Sequence, residues 1–255
     1  MVNPNFTSNP TVSRTRAEID AGLQTHMSKV YALMAGAMII TGLVAYIVGM
    51  DFKAALAGQP TMVLSAGMLE AMFTSPGRYI VMFAPLVVVF GFGAMINRMS
   101  TSSAQLVFWG FSALMGLSIS WIFAVFTGMS IAKTFFVTAI AFGGLSVYGY
   151  TTKKDLSGWG TFLIMGVIGL IVASIVNLFL ASSALQFAIS ALGVLIFAGL
   201  TAYDTQDIKN SYLSVRTQPG GEAMAEKMGI MGALRLYLNF LNMFMFLLQF
   251  LGNRE

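Results

Sequence analysis

Seven long runs of apolar residues, divided mostly by short polar links, organise this chain. They fall at about 29–50, 79–97, 105–127, 131–150, 159–180, 184–206 and 230–251. Each is close to the roughly 20 residues that an α-helix needs to cross a bilayer core. Backbone groups find no water in hydrocarbon, so such runs fold as helices. The pattern predicts an all-α, polytopic membrane protein with a polar tail over 1–27 and a seven-helix transmembrane domain over 28–255. The tail is rich in Asn, Thr, Ser and Arg. It lacks the apolar core and cleavage site of a signal peptide, so the first span is expected to serve as an uncleaved anchor. Two links are longer. Residues 51–78 hold a mildly apolar stretch, Met62 to Phe73, that fits an amphipathic helix along the interface. Residues 207–229, with Pro219-Gly220-Gly221 and mixed charge, are expected to be a flexible exposed loop. Pro85 should kink the second span.

Composition fixes the class. Hydrophobic residues make up 57% of the 255 and charged ones 9%, with a mean hydropathy of +0.79. A water-soluble domain carries roughly 25% charged residues, so this chain lacks the polar surface to live in water. The basic residues are scattered rather than clustered, which argues against nucleic acid and for a topological role. With the N-terminus placed in the cytoplasm, the inner side carries Arg14, Arg16, Lys29, Arg98, Lys153, Lys154, Lys209, Arg216 and Lys227. The outer side carries only Lys53, Arg78, Lys133 and Arg254. The bias favours N-terminus in and C-terminus out.

Few residues can carry chemistry. There is no cysteine and one histidine, His26, ahead of the first apolar run and expected to be an ordinary interfacial side chain. Thiolate sites, haem pairs and histidine-rich zinc sites are excluded. The last span has no lysine for a retinal Schiff base, and no base at membrane depth could activate a serine nucleophile. An intramembrane aspartyl protease needs two facing acids, and only Asp204 is well placed. The chain is therefore not expected to be an enzyme, and no cofactor is expected.

Asp204 stands out. It closes the sixth apolar run in Thr201-Ala202-Tyr203-Asp204-Thr205-Gln206. An acid near membrane depth is costly unless it faces protein, water or a cation. It reads either as part of a site, with a possible cation contact, or as a helix-end cap reaching into water. Asp207 follows one turn later on a similar face. The last span brings Arg235 and Asn239 to the same end of the bundle, and Arg98 closes the second span there. Arg235 reads either as a partner of Asp204 or as a side chain reaching the headgroups.

Together, Thr201–Gln206 and Ala233-Leu234-Arg235-Leu236-Tyr237-Leu238-Asn239-Phe240-Leu241-Asn242-Met243-Phe244 resemble the signature of the Bax inhibitor (transmembrane Bax-inhibitor-motif) family. So do the stretch Tyr148–Gly158 and the ending Gly252-Asn253-Arg254, which are similar to its bacterial branch. The resemblance runs from about His26 to the C-terminus. It implies a seven-helix bundle in a bacterial inner membrane, with the C-terminal helix central and wrapped by the other six. It implies a pH-regulated calcium or cation leak for some members, calcium being a transported ion. The alternative it carries is a non-conducting regulator that binds and restrains a membrane-bound ATP-dependent protease.

One departure changes the expectation. Leak-type members carry acids at the positions of Asp204 and Asn239. Two adjacent carboxylates cannot both ionise cheaply, so such a pair senses protons. Here the second acid is an amide. One turn before it, where the family has a small hydroxyl residue, stands Arg235. The acid pair is replaced by an expected Asp204–Arg235 ion pair, with Arg98, approximating a family arginine, as a second candidate partner.

Overall fold

The computed structural model describes residues 16–254 apart from 75, 217 and 219. Nine helices are found among them: α1 Arg16–Leu56, α2 Ala66–Phe73, α3 Gly77–Met95, α4 Thr101–Ile119, α5 Ile122–Val125, α6 Gly128–Thr151, α7 Trp159–Leu180, α8 Ser183–Val215 and α9 Gly221–Leu251. Seven stretches are long and apolar enough to cross a membrane, with α4 and α5 forming one of them. Ser65, Ser100, Thr127 and Ser182 start α2, α4, α6 and α8 by accepting a hydrogen bond from the third amide onward. A side-chain oxygen there satisfies one of the amides that a helix start leaves open. Pro85 lies inside α3 and removes one ladder donor.

In α9, 61% of the apolar window is buried, against 11–33% for the other spans. The last helix is therefore the axis of the bundle. α1, α4, α6 and α8 pack directly on it. α3 packs chiefly on α4, and α7 on α8, so these two form an outer layer rather than completing a ring of six. α7 is the least buried span, as a lipid-facing helix should be. At the far end of α9, Asn253 accepts from the Thr127 amide (3.1 Å) and donates its own amide to the Ser130 hydroxyl (3.0 Å). This ties the C-terminus to the α5–α6 turn.

The helices run well beyond their apolar runs. α8 continues to Val215 and α9 begins at Gly221, so the expected loop over 207–229 shrinks to the few residues between the two helices, where Gly220 takes φ +74°. Of the expected tail, residues 1–15 lie outside the described residues, whereas α1 is helical from Arg16. These polar extensions hold because they pack together. Leu23, His26, Met27, Ile208, Tyr212, Val215 and Ala225 are all buried, at helical spacing within each segment.

Small residues set the closest approaches. A Cβ at Gly149 would run into the backbone oxygen of Ala202, and one at Gly116 would lie 2.6 Å from that of Thr41. Backbone contact of this kind is what drives helix association in lipid. Gly149→Val and Gly116→Val are each expected to cost about 1–3 kcal/mol, as overpacking does, read as earlier thermal unfolding in detergent. Gly143→Val, whose Cβ meets nothing within 4 Å, should leave the midpoint unchanged. An equal loss at all three positions would mean that close packing is not the cause.

A buried acid organises the opposite end of α1. Asp51, 2% exposed, accepts hydrogen bonds from the amides of Met62 (2.7 Å), Val63 (2.8 Å) and Leu64 (2.8 Å), folding the α1–α2 link back onto the helix.

Candidate functional site

Asp204 does not cap a helix end. It lies about three turns before the end of α8 and is 5% exposed. Its two oxygens are held from α9: Arg235 Nη1 donates to Oδ1 at 3.0 Å, and Asn239 Nδ2 donates to Oδ2 at 2.6 Å. Arg235 and Asn239 stand one turn apart, so both reach the same facing residue. The second guanidinium nitrogen, Nη2, donates to Asp207 Oδ2 at 2.7 Å. Arg235 thus spans two acids three residues apart on α8. It is a clasp between the two most intimately packed helices of the bundle.

Burial grades across the cluster. Asp204 and Asn239 are enclosed, while the Arg235 and Asp207 side chains keep 38% and 37% of their exposure. The cluster opens from a dry end at Asp204 to a wetter one at Asp207. One guanidinium against two carboxylates leaves it net negative. Thr201 and Thr205 flank it on α8, each returning its hydroxyl to the carbonyl four residues earlier.

Four of the five expected site residues, Asp204, Asp207, Arg235 and Asn239, come together; Arg98 does not. It sits exposed in the single turn Ile96–Arg98 after α3, beside a helix that belongs to the outer layer, and the second donor to Asp204 is Asn239 instead. A hydropathy pattern places helix ends at one level but cannot say which helices are neighbours. Among the described residues no group of three or more acids or histidines could hold a metal ion.

Two polar ties were not legible as functional. Gln206 Oε1 accepts from the Leu156 amide (2.7 Å) and its Nε2 donates to the Lys154 carbonyl (2.8 Å). It fastens the α6–α7 link to α8 between the two acids. In that link Ser157 holds the Asp155 carboxyl below the usual carboxylate range, its hydroxyl more than its amide. Deeper in the bundle, Thr41 shares a 2.6 Å hydrogen bond with the Tyr237 hydroxyl and donates to the Ser112 carbonyl at 2.8 Å. That joins α1, α4 and α9. Gln206 and Tyr237 lie within the signature stretches; Thr41 gives no signal in a uniformly apolar run.

The family model described as "Inhibitor of apoptosis-promoting Bax1" matches residues 23–255. The chain belongs to this family. The inner membrane protein YbhL of Escherichia coli (strain K12) is 43% identical to it over 236 residues, covering 92% of this chain and 94% of YbhL. An uncharacterized protein of Caulobacter vibrioides is 45% identical over 248 residues, covering 95% and 94% of the two chains. One of Rickettsia prowazekii is 40% identical over 250, covering 98% of both. This Bax-inhibitor-family chain therefore matches these bacterial relatives over almost their whole length.

Proposed function

We propose that this protein is a cation leak of the Bax-inhibitor type, with calcium as a transported ion, whose pathway is latched by Arg235. One observation carries the reading: a buried carboxylate, Asp204, is held between an arginine and an amide on the central helix. An acid at membrane depth calls for a function, and the cluster's net negative charge suits a cation. The latch is strong because Arg235 holds Asp207 as well as Asp204. The basic asymmetry supports a cytoplasmic clasp end, with the C-terminus outside.

Calcium entry into dye-loaded liposomes containing the purified protein tests this. A weak flux is expected, nearly level between about pH 6 and 8, because Arg235 stands between Asp204 and Asp207 and Asn239 replaces the acid that would share a proton with Asp204. Strong, pH-dependent flux from the unaltered protein would remove the latch. No flux from the protein or from a variant lacking Arg235 would favour a non-conducting regulator of a membrane-bound ATP-dependent protease.

A further inference from the structure

At the clasp end of the bundle, the polar extensions of α1, α8 and α9 and the start of α4 enclose a cavity of about 770 Å³. Its wall is layered. Lys29, Arg216, Glu222 and Glu226 stand around the rim, while Val30, Leu33 and Trp109 form the floor where the apolar runs begin. His26, expected at an ordinary interfacial position, is instead buried and stacked on Tyr212, with ring centroids 4.6 Å apart. The Tyr212 side chain is 2% exposed, and its hydroxyl has no hydrogen-bond partner among the described residues; the same holds for Arg216 Nε. A buried donor left unmatched is costly. Both belong to residues that line this cavity.

We infer that this cavity binds the headgroup of an aminophospholipid, a phosphodiester joined to a primary ammonium, with its glycerol end over the apolar floor. Arg216 and Glu222 stand as a loose ion pair, Nη1 to Oε1 4.0 Å, with Lys29 and Glu226 beside it, so the rim offers both signs of charge. Lys29, from α1, with the guanidinium edge of Arg216 that is turned away from Glu222, takes a phosphodiester, whose oxygens accept charge-assisted hydrogen bonds. Glu226, one turn beyond the paired Glu222 on α9, takes an ammonium that has three hydrogens to donate. A simple anion would meet two carboxylates it does not want. A choline headgroup carries a cation with no hydrogen to give. The layering of charge above hydrocarbon sits at the polar–apolar boundary of three helices, where a lipid headgroup resides. This site is separate from the Asp204 clasp, and its test does not involve ion flux.

The test is native mass spectrometry of the full-length protein in micelles holding equal amounts of dioleoyl phosphatidylethanolamine, phosphatidylcholine and phosphatidylglycerol. Phosphatidylethanolamine should be retained about fivefold or more over the other two, as a pair of charge-assisted contacts would give. Lys29→Ala should lower its retention, and Glu226→Gln should bring it down to that of phosphatidylcholine. Both residues are exposed, so the fold survives, and Lys153→Ala on the α6–α7 link serves as control. Equal retention of the three lipids, or a preference for phosphatidylglycerol, would overturn the assignment. Retention unaffected by either variant would mean ordinary annular lipid. Displacement by an equal concentration of free phosphoethanolamine would reassign the cavity to a soluble ligand.

Discussion

Exchanging Arg235 for threonine and Asn239 for aspartate together should turn a weak, pH-indifferent protein into one whose calcium flux rises steeply with pH. Asn239 Nδ2 now lies 2.6 Å from the Asp204 carboxylate. An aspartate there brings two carboxylates into contact, and such a pair holds one proton between them near neutrality. While that proton is shared, the pair is a hydrogen bond joining α8 to α9. Once it leaves, two like charges face each other in a poorly solvated place and push the helices apart. Flux therefore increases as pH climbs through the titration, by about tenfold or more between pH 6 and 8, since relief of about 1.4 kcal/mol of latch energy is a factor of ten. Asn239→Asp alone should do far less, because Arg235 already lies 3.0 Å from Asp204 and would neutralise the new charge. If the double variant conducts no more than the unaltered protein at any pH, the clasp does not gate a pathway.

The second large effect is an asymmetry in stability. Arg235→Met should destabilise the protein by about 3 kcal/mol, because removing one partner of a buried pair strands the other. What is stranded is Asp204, 5% exposed and left with an amide as its only donor from α9. Asp204→Asn should cost only about 1 kcal/mol, since Arg235 is half-open to solvent and keeps its 2.7 Å bond to Asp207. In detergent the arginine variant should unfold roughly 5–10 °C earlier than the unaltered protein, and the asparagine variant within a few degrees of it. Equal losses, or the reverse order, would show that Asp204 draws its stabilisation from water rather than from the clasp.

Seven spans, the acid at Asp204 and its arginine were all readable from the chain because hydrocarbon punishes polar residues and makes each one conspicuous. Helix length was less readable. Hydropathy reports where a helix leaves hydrocarbon, not where it ends, so Ile208, Tyr212 and Val215 passed as loop although their spacing is that of one buried helical face. Neighbour relations were least readable. Arg98 and Arg235 were equivalent by level, and only the packing of α9 against α8, with α3 set in the outer layer, separates them. Asp51 escaped notice because its partners are three backbone amides, which leave no trace in residue type.

Gln206 gives the clasp an audience. It sits between Asp204 and Asp207 on α8, and both ends of its amide grip the backbone of the α6–α7 link at Lys154 and Leu156. A helix is stiff over one turn, so α8 cannot roll or slide to release Arg235 without dragging that link along or tearing it free. The state of a hidden ion pair is thereby displayed on an exposed segment that holds Lys153, Lys154 and Asp155. A dye on that segment would register the clasp without touching it. The coupling is reciprocal: a protein that grasped the segment would be pulling, through one glutamine, on the latch itself.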